Sequence, residues 1–386
     1  MIGMDRIYVK PELFVWARER AGLDTYALAA SFPKLPEWES GELQPTLRQL
    51  EAFANAVHVP FGYLFLPDPP DEPLPVADFR SIAGRETARA GPNLLDTLYL
   101  CQQRQEWYRD YARLQGLPAL GFVGSADIAD DPVKAANEMR RTLAISVEER
   151  AQSPTWTAAL RRLVTNAENA GVLVMSSSIV GNNNRRKLDV EEFRGFALAD
   201  EYAPLVFLNA ADSRAALMFT LAHELAHIWL GESGVSDVTP GQVPHQRTER
   251  WCNAVAAELL VPMEELRIQF RSGEPLEESI QRLARVFKVS SLVALRRLFD
   301  GRYIDEEMLW DAYRRELARV RELNPHVTRG GDFYRTLTTR AGRKFARALL
   351  ASTLEGQTLF RDALRLLGFR KIGTLYNAAR ELGVVG

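Results

Sequence analysis

The sequence predicts an α+β fold, in which a small sheet lies between helical regions at both ends of the chain. The first observation is that short runs of β-branched and aromatic residues, typical of strands, occur mid-chain near residues 172–177, 193–199 and 204–209. The second is that the apolar residues before and after these runs follow the spacing of helices. The third is a proline-rich stretch, residues 67–77, which predicts a stiff linker behind a helical head.

The composition is that of an ordinary globular protein and excludes several other classes. Of the 386 residues, 46% are hydrophobic and 25% are charged, which does not fit a disordered or collagen-like chain. No apolar run reaches the roughly 18 residues that a membrane span needs, and the first residues lack the apolar core of a signal peptide. Cys101 and Cys252 are too few for a disulfide framework, so we expect a protein of the reducing cytoplasm.

The head of the chain, residues 1–75, is predicted to consist of short helices. Pro11 suits the first turn of a helix and Gly22 suits its end, because glycine tolerates the left-handed backbone that often follows a helix. Asp24 or Thr25 can cap the next helix with a side-chain oxygen. The prolines that follow place a domain boundary near residue 75.

Helices are also predicted on both sides of the strands. Those before the strands are 93–115, 131–143 and 154–171, and those after them are 214–230 and 247–260. The rest of the chain is again helical. We therefore expect a helical linker region over 76–130, a central α+β domain over 131–300 and a helical C-terminal domain over 301–386.

The strand nearest the central helices is predicted to lie at an edge of the sheet. Pro204 begins it, and proline is largely confined to edge strands because it has no N–H to donate to a neighbour. An exposed strand at Leu205–Asn209 could pair with an extended peptide substrate. Ordinary closure of the sheet is the alternative interpretation.

A metal-binding pattern lies in the helix predicted over 214–230. Residues 223–227 are His-Glu-Leu-Ala-His, and side chains four residues apart lie on one face of a helix, so His223 and His227 could bind one zinc ion. Glu224 sits on the same turn and could take a proton from a metal-activated water and pass it to a leaving amine. The alternative is a hydrogen-bonded polar cluster without metal.

A third ligand is expected from the following helix. Glu249 is favoured because the apolar residues Val255, Leu259 and Leu260 fix the buried face of that helix. Asn253, one turn further on, could orient a ligand imidazole. The competing ligands are His245, Asp237 and Glu258, and Glu249 could instead be an exposed residue that complements the helix dipole.

Positive charge is concentrated towards the end of the chain. Residues 9–60 carry a net charge of −2, whereas residues 329–371 carry +7. Residues 281–297 carry +5 without a single acid, in a pattern similar to a helix-turn-helix. These charges predict contact with nucleic acid or an acidic partner, and a solvated helical surface is the alternative. The basic residues of the shorter segment are Arg282, Arg285, Lys288, Arg296 and Arg297.

The central region resembles the ImmA/IrrE family of metallo-endopeptidases. The resemblance rests on the motifs Phe219–His227 and Glu249–Pro262, supported upstream by Arg194-Gly195-Phe196 and Pro204–Asn209. It implies a zincin-like α+β domain in which His223, His227 and Glu249 bind zinc and Glu224 is the catalytic base. It also implies cleavage of helix-turn-helix repressors, which switches on stress-response or mobile-element genes.

The head resembles an XRE-type helix-turn-helix module. The matching residues are Trp16–Leu23, Leu28-Ala29, Trp38–Gly41 and Pro45-Thr46. The spacing between Ala29 and Trp38 is nine residues, shorter than the usual pattern, so that much of the recognition helix is missing. A module used for dimerisation or docking is therefore an alternative to a DNA-binding one.

Three functional hypotheses follow. The first is a zinc endopeptidase that cleaves or controls a repressor or another partner protein. The second is an antitoxin-like regulator, because the layout also resembles partners in toxin–antitoxin operons. It would bind and neutralise a toxin without proteolysis, with or without binding to operator DNA. The third is a protein whose zinc only holds two helices together. No membrane association is expected, and a homodimer is compatible with each hypothesis.

Overall fold

The computed structural model describes residues 6–80, 90–236, 246–323 and 333–384. The chain forms two compact units. The first comprises Met1–Pro75 and Ala88–Asp96, and the second comprises Val76–Thr87 and Thr97–Gly386. The four-part division expected from the sequence stays a prediction.

The first unit is built from short helices around an aromatic core. Its helices are α1 (Pro11–Arg20), α2 (Thr25–Ala29), α3 (Leu35–Glu39) and α4 (Leu47–Ala56), followed by a 3-10 turn at Phe61–Phe65. The core centres on Trp38, whose indole contacts the rings of Phe14 and Phe53. The stretch between Ala29 and Trp38 holds only the start of the five-residue α3. The helix-turn-helix assignment of this unit stays a prediction.

The remaining helices surround the sheet of the second unit, and the first of them begins within the first unit. They are α5 (Pro92–Leu114), α6 (Pro132–Thr142), α7 (Val147–Ala151), α8 (Trp156–Ala170), α9 (Arg214–Leu230), α10 (Arg247–Leu260), α11 (Met263–Gln269), α12 (Leu276–Phe287), α13 (Ser291–Asp300), α14 (Glu306–Leu323), α15 (Phe333–Arg340), α16 (Arg343–Leu354), α17 (Phe360–Leu367) and α18 (Ile372–Glu381). The five helices predicted around the strands are present within two residues of their expected bounds. No helix of the described residues is long and apolar enough to cross a membrane.

The sheet has five strands among the described residues. They are β1 (Ala77–Asp78), β2 (Leu173–Ser177), β3 (Gly195–Leu198), β4 (Leu205–Asn209) and β5 (Gly234–Ser236), in the spatial order β1-β5-β3-β4-β2. The pairs β2–β4 and β1–β5 are parallel, and the pairs β3–β4 and β3–β5 are antiparallel. The α+β fold predicted from the sequence is therefore confirmed, with helical flanks on a small mixed sheet.

The prediction that Leu205–Asn209 is an edge strand is wrong. This strand, β4, pairs with β2 on one side and β3 on the other. Pro204 lies just before the first paired residue, so its missing N–H removes no bond from the ladder, and its carbonyl accepts a hydrogen bond from the Leu173 N–H at 2.7 Å. A peptide therefore cannot add to β4. The edge strands are β1 and β2.

The C-terminal helices are held to α5 by a buried arginine. The Arg104 guanidinium donates to the carbonyl of Leu366 in α17 and to that of Arg340 in α15, each at 3.0 Å. Both carbonyls lie at helix C-termini, where the partial negative charge of the helix dipole favours a cation. Trp107, also in α5, packs edge-on against Phe345 of α16.

Candidate metal centre

The helix α9 carries four polar side chains, Thr220, His223, Glu224 and His227, into an otherwise apolar core. Its start is capped by the Ser213 hydroxyl, which accepts a hydrogen bond from the Ala216 N–H, and its end is marked by Gly231 in the left-handed conformation. Every residue from Thr220 to Trp229 is buried. A His-Glu-His set in such surroundings is costly to bury unless it has partners, because charged and polar groups lose their hydration.

The two predicted histidine ligands point at one another and at Glu249. The Nε2 atoms of His223 and His227 lie 3.1 Å apart. Glu249, in the first turn of α10, places one carboxylate oxygen 3.2 Å from His223 Nε2 and the other 2.9 Å from His227 Nε2. The helices α9 and α10 pack against each other, so residues 22 positions or more apart in sequence converge at one point.

The electrostatics of the cluster favour an ionised Glu249. Burial would by itself raise the pKa of this carboxyl, but the charge and hydrogen bonding of His223 and His227 outweigh burial and lower the pKa to about 2. Burial lowers the pKa of His227, which favours the neutral imidazole. A neutral imidazole and an ionised carboxylate are the protonation states in which these side chains bind metal.

Glu224 is the buried acid beside this cluster. Burial raises the pKa of its carboxyl well above 4.5, and the neighbouring charge of Glu249 raises it further. The β3 backbone lies close to this carboxyl, because a Cβ added to Gly195 would stand 3.0 Å from Glu224 Oε1. The Arg-Gly-Phe string that begins β3 is thus part of the site, and only a residue without a side chain fits there.

The residues present fit a metal ion. One ligand atom from each of His223, His227 and Glu249 lies within 4.8 Å of the others, and all three residues are buried. Two imidazole nitrogens and one carboxylate are a common donor set for catalytic zinc. If both Nε2 atoms carry lone pairs, they cannot form a hydrogen bond with each other, because neither has a proton to donate. A cation shared between them accepts both lone pairs.

Residues in or next to two short strands, β5 and β1, complete the surroundings of His227, and neither strand is predicted from the sequence. The Ser236 hydroxyl in β5 lies 3.4 Å from His227 Nε2. Phe79, directly after β1, stacks on the His227 ring with centroids 5.1 Å apart and planes inclined by 15°. Strands of two and three residues are too short to show a periodic pattern. The one sequence signal for β1 is the pair of apolar residues Val76 and Phe79, at the end of the proline-rich stretch.

The other residues that the sequence suggested for the site are Asn253 and the competing ligands Glu258, Asp237 and His245. Asn253 is partly buried, and its Oδ1 has no hydrogen-bond partner among the described residues, so its role in orienting an imidazole stays a prediction. Glu258 belongs to a different cluster, where it pairs with Arg297. Asp237 and His245 lie outside the described residues.

The basic residues of α12 and α13 are largely paired within the molecule. Arg282 binds Glu274, and Arg296 binds Asp300 in the next turn. Arg297 is buried and binds the Glu258 carboxylate at 2.5 Å. None of these acids lies within residues 281–297, the window in which the sequence shows only bases.

The two remaining bases of this segment lie on or near its surface. Arg285 is exposed, and the Lys288 ammonium lies 5.5 Å from the centre of the Trp156 ring. Contact of any of the five basic residues with nucleic acid or a partner stays a prediction.

Comparison with known families covers the metal centre. No curated protein matches the chain. Residues 341–381, which include α16 to α18, match a domain of unknown function (DUF8813). Residues 167–299 match the IrrE N-terminal-like domain, Peptidase_M78. This region contains β2 to β5 and the helices α9 and α10, which carry the candidate ligands. The match supports the ImmA/IrrE resemblance and a metallopeptidase assignment for residues 167–299 of the chain.

Proposed function

We propose that this protein is a zinc-dependent endopeptidase-type regulator that cleaves or controls a transcriptional repressor or another partner protein. The observation that carries the proposal is the convergence of His223 and His227 of α9 with Glu249 of α10 within 4.8 Å. The buried acid Glu224 lies on α9 between the two histidines. The match of residues 167–299 to a peptidase domain supports it.

Each residue of the set has a distinct role in this proposal. His223, His227 and Glu249 would hold zinc, and a bound zinc ion supplies Lewis-acid activation of water and of a peptide carbonyl. Glu224 does not serve as a ligand; its carboxylate accepts a proton at an oxygen and returns it to the leaving amine. The Gly195 backbone lies close to this carboxylate on the side of the sheet, because a Cβ at Gly195 would stand 3.0 Å from Glu224 Oε1.

The surroundings of the site suit this chemistry. The residues next to the ligands in α9, Ala222, Leu225 and Ala226, are fully buried and apolar. Apolar surroundings of this kind strengthen the interaction of charged groups.

The test compares wild type with Glu224→Gln, which keeps the size of the side chain and removes its basicity. Both purified proteins are incubated with the protein encoded by the neighbouring gene, and zinc content is measured in parallel. We expect equal zinc in both proteins and cleavage by wild type alone. Cleavage at an equal rate by Glu224→Gln contradicts the assignment of the base.

The second candidate function is an antitoxin-like regulator that binds its partner without cutting it. It is favoured by large apolar side chains exposed near the end of the chain. These are Leu359 just before α17, and Ile372 and Tyr376 in α18, at 64%, 50% and 45% exposure. Contiguous exposed apolar surface marks protein interaction sites. A tight complex with an intact partner, unaffected by Glu224→Gln, identifies this function.

A further inference from the structure

The imidazole of His227 is not oriented in the way that is usual for a metal ligand. A ligating histidine generally donates its second ring N–H to a carboxylate, a carbonyl or a water, which fixes the plane of the ring. Among the described residues, His227 Nδ1 is buried and has no hydrogen-bond partner. Some other contact must therefore fix the plane in which Nε2 faces His223 and Glu249.

The contact that meets this requirement is the ring of Phe79. Its plane lies within 15° of the imidazole plane, with ring centroids 5.1 Å apart. The His223 ring meets His227 at 67° and gives no such parallel support. A stacked ring resists tilting of its neighbour, because a tilt brings atoms of the two rings into collision on one side.

Phe79 lies in a segment that has three structural supports. Its N–H donates to the Val235 carbonyl at 2.9 Å, which continues the pairing of β1 with β5. Gly234 leaves the space that the ring occupies, since a Cβ at this position would stand 2.2 Å from Phe79 Cε2. The neighbouring Arg80 is buried and binds both oxygens of Asp78, at 2.8 and 2.6 Å.

We propose that Phe79 is a positioning residue for the metal ligand His227. The segment Ala77–Arg80 acts as a wall of the metal centre, supplied from outside the helices that carry the ligands. The stack replaces the missing hydrogen bond at Nδ1 and keeps Nε2 directed at the position shared with His223 and Glu249. The proposal rests on the metal centre of the proposed function.

Zinc affinity provides the direct test. The dissociation constant for zinc is measured by competition with a chromophoric chelator for wild type, Phe79→Leu and Phe79→Tyr. Leucine keeps the apolar contact and removes the flat ring, whereas tyrosine keeps the ring. We expect Phe79→Leu to weaken zinc binding by about 10- to 100-fold, the usual effect of losing a group that orients a ligand, and Phe79→Tyr to stay within about threefold of wild type.

The visible spectrum of the Co²⁺-loaded protein reports ligand geometry without any assay of activity. We expect the absorption bands of Phe79→Leu to shift and those of Phe79→Tyr to match wild type. A matched control is Phe270→Leu, because Phe270 also stacks on an aromatic ring, that of Tyr303, at 4.0 Å and 24°, away from the ligands. This control should keep both zinc affinity and spectrum.

A second variant covers the case in which Phe79→Leu does not fold. Gly234→Ala keeps every side chain of the site and pushes the Phe79 ring away, so it should weaken zinc binding in the same range. If Phe79→Leu and Gly234→Ala both fold and bind zinc as tightly as wild type, the positioning role is overturned and the proposed function is left intact. Absence of zinc from wild type overturns both, since Phe79 would then position no ligand.

Discussion

Gly195 in β3 and Glu224 in α9 lie close together in space although they are 29 residues apart in sequence. A Cβ added to Gly195 would stand 3.0 Å from Glu224 Oε1, 2.8 Å from Thr220 Cγ2 and 3.0 Å from the Phe207 carbonyl. The absence of a side chain at Gly195 therefore lets β3 lie directly over the acid on α9. This contact makes the position of the proposed base depend on the sheet.

The first prediction concerns this contact. Gly195→Ala should destabilise the fold by about 1–3 kcal/mol, the usual cost of overpacking a core, and should slow partner cleavage at least tenfold while zinc binding is retained. Gly373→Ala is the control, because this helical glycine has nothing within 4 Å of an added Cβ. Urea unfolding and cleavage rates check the pair; unchanged cleavage by Gly195→Ala is the contrary outcome.

The second prediction concerns the buried pair Glu258–Arg297. Arg297 donates to the Glu258 carboxylate at 2.5 Å and to the Val261 carbonyl at 3.0 Å, which ties α13 to the end of α10. Arg297→Met leaves Glu258 buried without its cation and should cost about 3–5 kcal/mol of unfolding free energy.

The matched control for this pair is Arg285→Met. Arg285 is exposed on α12, so its removal should change stability by less than about 0.5 kcal/mol. Chemical denaturation of both variants gives the comparison. An equal, small effect of the two substitutions speaks against a structural role for Arg297.

The third prediction concerns the cysteines. Both thiols are free and buried, and burial raises the pKa of Cys101 to about 12 and that of Cys252 well above 9.0. A thiol reacts as the thiolate, whose fraction at pH 8 falls as the pKa rises. A colorimetric disulfide reagent at pH 8 should therefore label no thiol in the native protein and two in denaturant. Rapid labelling of the native protein is the contrary result.

The fourth prediction concerns metal removal. A ligand that binds only the folded state stabilises it by about 2.7 kcal/mol at a concentration one hundred times its Kd. Dialysis against a chelator should therefore lower the Tm by several degrees, and added zinc should restore it. Glu249→Gln, which removes one ligand, should show a low Tm that zinc does not raise. Scanning calorimetry of wild type with and without chelator measures this change in Tm, and an unchanged Tm contradicts the prediction.

The long elements of the fold could be predicted, because periodicity is visible only over enough residues. The helices α9 and α10 were placed at their observed bounds, Arg214–Leu230 and Arg247–Leu260. The strands β1 and β5 have two and three residues and leave no pattern. The position of β4 in the sheet was missed because Pro204 lies outside the paired residues.

The candidate site also has one part that the sequence predicts and another part that it does not. The ligands His223 and His227 follow from spacing on one helix, and Glu249 from the buried face of the next. The contacts of Phe79 with His227 and of Gly195 with Glu224 join distant parts of the chain, so no local spacing indicates them. A count of charges within residues 281–297 omits Glu258 and Glu274, which pair with two of its arginines and lie outside that window. Contact of this segment with nucleic acid or a partner stays a prediction.

The most direct measurement of the metal centre is the zinc content of purified protein by elemental analysis. The account predicts one zinc ion per chain in wild type and in Glu224→Gln, and loss of bound zinc in His223→Ala and Glu249→Ala. Equal zinc in wild type and in both ligand variants, or none in wild type, contradicts the assignment of His223, His227 and Glu249 as the ligands.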